Sequence, residues 1–147
     1  MIALIQRVSE AKVVVENNNI GEIQQGILAF IGVEKNDGKK HLNRLLEKIL
    51  SYRIFPDAED KMNLSVQDIK GGLLLVPQFT LAADTQKGSR PSFSSAASPE
   101  MAENLFNEFV THAKNKYEHI QTGQFGADMK VSLLNDGPVT FWLQVNK

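Results

Sequence analysis

The chain has 147 residues, of which 42% are hydrophobic and 22% charged, and its formal net charge at pH 7 is −1. These values are typical of one globular domain and exclude a disordered or fibrous chain. The absence of cysteine excludes disulfide bonds, thiolate metal sites and a cysteine nucleophile. A charge near zero argues against a protein that grips a DNA or RNA duplex through many phosphates. Any RNA partner would therefore be held at a short end.

The first residues and the longest apolar run predict no membrane partner. Ile27–Val33 is too short to cross a bilayer. Met1–Arg7 lacks a basic region ahead of its apolar residues, so it is interpreted as a first strand and not as a signal peptide. We therefore expect a cytoplasmic protein.

The first third of the chain predicts four strands. Two are expected over Ile2–Val8 and Ala11–Glu16, with a break at Ser9-Glu10. A third is expected over Ile20–Gln24 after an asparagine-rich turn, and the apolar run Ile27–Val33 predicts a buried fourth strand.

A helix is predicted after Asp37-Gly38, because apolar residues recur there at the spacing of one helical face. These residues are Leu42, Leu45, Leu46, Ile49 and Leu50. The basic residues of the segment lie mainly on the opposite face and are Lys39, Lys40, Arg44 and Lys48. Simple solvation is the favoured interpretation of that face, and a weak contact with an RNA backbone is the other.

The middle of the chain predicts a loop after Pro56, a buried strand over Leu73–Val76 and a long irregular segment over Ala82–Ala97. Such a segment inside a compact domain is often functional. Ser98-Pro99 supplies an N-cap and a first-turn proline for a second helix, which should end near Tyr117. Its expected buried face consists of Met101, Leu105, Phe106, Phe109, Val110 and Ala113.

The C-terminal segment predicts a β-hairpin. Met129–Leu133 and Val139–Val145 alternate with period two, and the turn-forming residues Asn135–Pro138 lie between them. Two helices among many strands predict a layered fold of α and β elements, with helices packed against mostly antiparallel sheets.

Common catalytic motifs are missing from the sequence. The three histidines, His41, His112 and His119, do not stand at metal-ligand spacing and are interpreted as surface or structural residues. No zincin signature, phosphate-binding loop, dinucleotide fingerprint or nucleophile elbow occurs. We therefore expect neither a metal nor a cofactor, and no general base is evident.

Two segments remain as site candidates. Pro77–Leu81 is either an ordinary strand end or a binding ledge, with Gln78 and backbone N–H groups as donors, Phe79 as a stacking face and Thr80 as a nucleophile or orienting group. Gly137-Pro138 is either part of a tight turn or a bare stretch of backbone that a ligand can approach closely.

These two segments resemble the signatures of the D-aminoacyl-tRNA deacylase family, Ser-Gln-Phe-Thr-Leu and Asn-x-Gly-Pro-Val-Thr. The chain carries the second signature complete over Asn135–Thr140 and all but the first residue of the other over Gln78–Leu81. The likeness also includes Met1–Val8, Arg90–Phe93 and other short segments, so it extends over essentially the whole chain. Residues 1–147 are thus expected to form a single deacylase-like domain.

The resemblance implies a layered β/β/α sandwich with two main helices, a homodimer and a cis Gly137-Pro138 peptide that enters the site of the other subunit. The substrate would be the 3′ acceptor end of an aminoacyl-tRNA. Carbonyls of Gly137 and Pro138 would fix the ammonium group, so that an L side chain clashes with the protein backbone while a D side chain or glycine is accepted. Pro77 and Leu81 would line the same site.

The resemblance also implies a mechanism for ester hydrolysis. The 2′-hydroxyl of the terminal adenosine would assist a water molecule, while Gln78, Phe79 and Thr80 orient the ester and stabilise the oxyanion. Glycyl-tRNA, including glycine misattached to alanine tRNA, would be a further substrate. A covalent role for Thr80 is the alternative.

The sequence departs from the family at Pro77, where serine is usual. A related family of deacylases, which edits an L-amino acid, has Pro-Gln-Ala-Thr-Leu at this point and a trans Gly-Pro peptide. Phe79 and the Asn135–Thr140 motif match the D-specific family instead. A relaxed or L-selective deacylase and a non-catalytic RNA-end binding module are the two alternative functions.

Overall fold

A computed structural model describes all residues, 1–147. The elements are eight strands, two α-helices and a short 3₁₀ helix. Their bounds in chain order are β1 (Ile2–Val15), β2 (Asn18–Ile23), β3 (Gly26–Gly32), α1 (Lys39–Ser51), β4 (Phe55–Pro56), β5 (Met62–Leu64), β6 (Gly72–Pro77), the 3₁₀ helix (Phe79–Ala82), α2 (Pro99–Lys116), β7 (Ile120–Thr122) and β8 (Lys130–Gln144).

The long strand β1 organises the main sheet. Along one edge it pairs antiparallel with β8, and along the other it pairs antiparallel with β3 and then with β2. Parallel pairings join β3 to β6 and β6 to β7. The sheet then curls until β2 approaches β7, where a Cβ on Gly21 would lie 2.7 Å from the carbonyl oxygen of Thr122. The result is a nearly closed barrel-like sheet, and β4 and β5 form a separate two-stranded sheet.

The apolar residues form two cores on the two faces of this sheet. The larger core lies between the sheet and both helices, and the smaller core lies inside the curl, where Val8, Leu28 and Leu74 meet. The layered fold with two main helices and mostly antiparallel strands is therefore confirmed. No helix is both long enough and apolar enough to cross a membrane.

Both helices follow the predicted apolar faces. All five apolar residues predicted for α1 are buried. In α2 the side chain of Ser98 accepts a hydrogen bond from the Met101 N–H at 3.3 Å, which confirms the N-cap. Ala102 is buried in place of Met101, while Met101 and Val110 are only partly buried because they stand at the border of the buried face.

Two predictions for the strands are wrong. Ser9-Glu10 does not break the first strand. β1 continues through both residues, from the part that pairs with β3 to the part that pairs with β2, and β8 pairs along its other edge. The C-terminal segment is not a hairpin: both of its halves pair with β1, from Val14 opposite Lys130 to Ile2 opposite Gln144. Local alternation cannot distinguish a hairpin from one strand with an irregular middle, and pairing with the long β1 decides between them.

Candidate active site

The ledge, Gln78–Leu81, lies where β6 ends and the chain turns into the 3₁₀ helix. Pro77 is the last residue of β6, a position that tolerates a missing backbone donor. Hydrogen bonding resumes at once, because the Gln78 N–H donates to the Ile31 carbonyl at 2.8 Å. The expected strand end is confirmed, while the helical turn that follows it was not predicted.

The ledge presents polar and aromatic groups to the surface. The Gln78 side-chain amide donates to the hydroxyl oxygen of Thr80, and the Thr80 side chain is exposed. Phe79 is 62% exposed, which is unusual for an aromatic ring. Leu81 packs the 3₁₀ turn closely against β3, since a Cβ added to Gly32 would lie only 2.8 Å from the Cβ of Leu81.

A cavity of about 690 Å³ opens beside the ledge. Its lining is mostly apolar and comes from the ends of β3 and β6, the segment before α2 and the segment before β8. Pro77, Gln78 and Phe79 lie on one side, and Phe125 and Met129 are among the other lining residues. Phe93 shares the rim with Phe79, and the two ring centroids are 5.4 Å apart. Ligand sites commonly have this form, an apolar concavity with a few polar groups.

The second candidate, the Asn135–Pro138 loop, bulges from the middle of β8. Gln6 pairs with Thr140 and Val8 with Asn135, so the intervening residues stand opposite Arg7 alone. Gly137 and Pro138 are exposed, and the peptide bond between them is cis.

Hydrogen bonds hold this loop on β1. The Asn135 side-chain amide donates to the carbonyls of Arg7 at 3.2 Å and Val139 at 3.1 Å, and its oxygen accepts from the Val139 N–H at 3.3 Å. Asn135 therefore closes the loop at its base, leaving the backbone of Gly137 and Pro138 presented outward.

Arg7 fixes the other side of the loop and was missed as a site residue by sequence reasoning. Its Nε donates to the Asp136 carbonyl at 2.9 Å, and its Nη1 donates to the Ile54 carbonyl at 2.7 Å. The Arg7 side chain is only 12% exposed. A charged residue in the mostly apolar stretch Ile2–Val8 was the available signal, because such a residue needs specific partners when it is buried.

The structure does not bring the two motifs together within one chain. Arg7, which holds the loop, pairs with Ile27, whereas Gln78 is bonded to Ile31 further along β3. This offset corresponds to roughly 13 Å along the strand at about 3.3 Å per residue. In addition, β1 separates β8 from β3. Neither Gly137 nor Pro138 lines the cavity beside the ledge.

The ledge can orient a ligand, but it contains no activated nucleophile. The only side-chain hydrogen bond of Thr80 is the one from Gln78, and neither a histidine nor a carboxylate contacts its hydroxyl. A hydroxyl without an adjacent base is a weak nucleophile. Exposed donors beside an apolar cavity suit the binding of an ester and the stabilisation of charge on its carbonyl oxygen.

The barrel-like sheet, the ledge and the Asn135–Thr140 loop define the class of aminoacyl-tRNA deacylases, hydrolases that cleave the ester between amino acid and tRNA. The family model described as "D-Tyr-tRNA(Tyr) deacylase" matches residues 4–144. The chain therefore belongs to the D-Tyr-tRNA(Tyr) deacylase family.

Similar proteins agree with this assignment. A D-aminoacyl-tRNA deacylase of Janthinobacterium sp. (strain Marseille) is 59% identical over 145 residues, which are 99% of this chain and 97% of the relative. A protein of the same name from Escherichia coli O1:K1 / APEC is also 59% identical over 145 residues, covering 99% of this chain and 100% of the relative.

Two solved structures have the same fold. One, titled "c-Myc DNA Unwinding Element Binding Protein", superimposes with a TM-score of 0.96 at 38% identity and covers 100% of both chains. The other, titled "Structural Analysis of a probable eukaryotic D-amino acid tRNA deacylase", has a TM-score of 0.85 at 14% identity and covers 98% of both chains. At that identity the second likeness supports the fold alone.

Proposed function

We propose that this protein hydrolyses the ester of D-aminoacyl-tRNA and releases the free D-amino acid and the tRNA. One observation carries the proposal beyond family membership: the ledge, with Gln78 half-buried and Phe79 and Thr80 exposed, borders a large apolar cavity. The tRNA would be held at its 3′ acceptor end in the cytoplasm, where aminoacyl-tRNA is used. The formal net charge of −1 agrees with few phosphate contacts and argues against a duplex DNA ligand.

In this proposal the cavity receives the terminal nucleoside and the ledge holds the ester. The apolar lining suits the faces of a base and a ribose, since ligand cavities of this kind bury flat apolar surface. The ester carbonyl then lies above Gln78–Thr80, where backbone N–H groups and the Gln78 amide can stabilise negative charge. Pro77 and Leu81 support this geometry: Pro77 lines the cavity, and Leu81 packs the turn against β3.

Selection against L-amino acids belongs, in our proposal, to the Gly137-Pro138 loop of a second subunit in a homodimer. Three features support this. The loop is exposed, it is anchored by Arg7 and Asn135, and it does not line the cavity of its own chain. Backbone carbonyls presented by the partner subunit would bind the ammonium group, and an L side chain would then collide with the protein backbone.

This arrangement has a consequence for glycine. Glycine has no side chain to collide, so a site that works by exclusion would accept glycyl-tRNA, including glycine misattached to alanine tRNA. The D side chain would point towards solvent and would not be recognised. We therefore propose broad activity on D-aminoacyl-tRNAs and additional activity on glycyl-tRNA.

For the chemical step we propose assistance by the 2′-hydroxyl of the terminal adenosine. The isolation of the Thr80 hydroxyl from any base supports this over a covalent route. The hydroxyl of the RNA would help to activate or position the attacking water. The contribution of the protein would be to orient the ester and to stabilise the oxyanion.

Hydrolysis of D-tyrosyl-tRNA, L-tyrosyl-tRNA and glycyl-tRNA by the purified protein tests the proposal. We expect rapid loss of the D-tyrosyl and glycyl esters, while the L-tyrosyl ester decays at the rate without protein. Equal loss of both tyrosyl esters would favour the relaxed deacylase. Binding of tRNA without loss of any ester would favour the RNA-end binding module, and either outcome would overturn the proposal.

A further inference from the structure

The loop between Asp84 and Phe93 has the features of a surface for single-stranded RNA. We propose that this loop, together with Phe79, binds the nucleotides that precede the terminal adenosine of the substrate: the two phenylalanines stack on a base, and Lys87 and Arg90 contact phosphates. The inference rests on the proposed function, since it places the RNA strand where it leaves the proposed ester site.

The loop is anchored at its base and presents its tip to solvent. Asp84 and Ser92 exchange both backbone hydrogen bonds, at 2.7 Å and 2.9 Å, and so form the base of the loop. Gly88 has a φ of +64° at the tip, a conformation that favours glycine. Every residue from 84 to 94 is exposed. The fixed base lies directly beside Phe93, so the loop is attached at the rim of the cavity.

The tip is locally basic in a chain with a slight negative charge. Lys87 and Arg90 are its only charged residues between positions 85 and 91, and neither forms a salt bridge. The one carboxylate at the base, Asp84, accepts a hydrogen bond from the Gln86 N–H at 2.9 Å. Two exposed cations without acidic partners on one short loop are suited to successive phosphates.

An exposed aromatic pair connects the ledge to this loop. Phe79 is 62% and Phe93 43% exposed, and their rings lie 5.4 Å apart with planes inclined at 37°. Exposed aromatic faces are stacking platforms for unpaired bases, and this contact tolerates any base. Phe79 contacts Phe93, and Phe93 follows the basic tip in the chain, so the ledge, the aromatic pair and the two cations belong to one connected stretch of surface.

The alternative basic surface is less suited to this role. Arg44 and Lys48 on α1 are also exposed, but neither lines the cavity and no aromatic side chain stacks with them. This pair provides a matched control, because it too consists of one arginine and one lysine on the surface of the same protein.

The test compares two substrates that share the ester and the terminal nucleoside. One is D-tyrosyl-tRNA and the other is D-tyrosyl-adenosine, esterified at the 3′ position, which has no phosphate. We expect Lys87→Ala/Arg90→Ala to lower the ratio of kcat/KM for tRNA to kcat/KM for D-tyrosyl-adenosine by about tenfold. The slope of log(kcat/KM) for tRNA against log salt should become shallower by about 1.4, or about 0.7 for each lost phosphate contact. Arg44→Ala/Lys48→Ala should change neither quantity.

A ratio and a salt slope that stay at wild-type values in the loop variant would overturn the inference. Equal losses in the α1 control would also overturn it, because overall charge would then explain the effect. If wild-type protein hydrolyses neither substrate, the proposed function fails instead, so the two failures are distinguishable. Both loop side chains are exposed and make no hydrogen bond that folding needs, and circular dichroism of the variant confirms its fold.

Discussion

Arg7 on β1 holds the backbone of Asp136 on β8 through a hydrogen bond of 2.9 Å from Nε to the carbonyl oxygen. The same guanidinium donates through Nη1 to the carbonyl of Ile54, just before the two-stranded sheet. One nearly buried side chain therefore fixes the exposed Gly137-Pro138 loop to two separate elements. The position of this loop decides, in our proposal, which stereoisomer is accepted.

Replacing Arg7 by lysine should loosen the Gly137-Pro138 loop from its position while preserving the charge. A lysine ammonium lacks the planar fork of arginine and cannot reproduce both contacts. We expect kcat/KM for D-tyrosyl-tRNA to fall about tenfold, because a hydrogen bond to a charged group contributes about 1.5–3 kcal/mol. The ratio of D to L hydrolysis should fall as well. Arg53→Lys, at an exposed position, is the control, and an unchanged D to L ratio in Arg7→Lys would show that the loop does not depend on this side chain.

Thr80→Ala separates RNA-assisted hydrolysis from a covalent route. We expect turnover of D-tyrosyl-tRNA to remain within about threefold of wild type, because the Thr80 hydroxyl has no base to activate it. Turnover of a D-tyrosyl-tRNA that ends in 2′-deoxyadenosine should instead fall roughly a hundredfold or more, a typical effect of removing a proton-transfer group. Thr111→Ala on α2 is the matched control. Loss of activity in Thr80→Ala together with full activity on the deoxy substrate would reverse the assignment.

Pro77→Ser restores the residue that the D-aminoacyl-tRNA deacylase signature has at this position. Pro77 ends β6 opposite Ile31 and lines one side of the cavity, and its Cδ would lie 3.4 Å from a Cβ on Gly123. We expect the D to L ratio of the variant to stay within about threefold of wild type, since in our proposal selection depends on the Gly137-Pro138 loop and not on this side of the cavity. A large gain in D selectivity on adding serine, measured as the ratio of the two kcat/KM values, would indicate that the native protein is a relaxed deacylase.

Asp68 makes the stability of the fold depend on pH. The Ser65 N–H donates to Asp68 Oδ2 at 2.8 Å, which lowers the pKa of Asp68 below its ordinary value of 3.8. Because the pKa is lower in the folded state, the carboxylate stabilises the fold above the ordinary value, and this contribution is lost as the pH falls through the folded pKa. Asp68→Asn should therefore lower Tm at pH 7, with a smaller difference from wild type below about pH 3.8. Thermal unfolding measured across pH tests this, and a difference that is the same at all pH values would contradict it. Glu103→Gln, at an exposed position on α2, is the control.

The sequence predicts the helices well because their signals are local. The apolar spacing of α1 and the Ser98 cap of α2 need no information from the rest of the chain. The Asn135–Thr140 motif was likewise found without the structure, although its importance came from resemblance. The residues themselves indicated only a turn.

Long-range pairing could not be predicted from the same local patterns. The two halves of β8 alternate as the arms of a hairpin would, and only the length of β1 shows that both pair with it. β7 has three residues and gave no periodic signal, yet it completes the curl of the sheet through parallel pairing with β6. Arg7 was missed for the same reason, since its partners Asp136 and Ile54 are distant in sequence.

In our proposal a complete site needs the ledge of one subunit and the Gly137-Pro138 loop of another, and mixed dimers distinguish this arrangement from a site within one chain. One parent chain carries Gln78→Ala. The other carries Gly137→Ala, whose Cβ would lie 2.3 Å from the Val139 nitrogen and must displace the loop. Each parent dimer should have little activity on D-tyrosyl-tRNA.

After the two parents are mixed in equal amounts and their subunits exchanged, half of the dimers are hybrids, and each hybrid has one site with both segments intact. We expect recovery of about one quarter of wild-type activity. Activity that remains at the average of the two parents, with hybrid dimers verified by mass spectrometry, would contradict it.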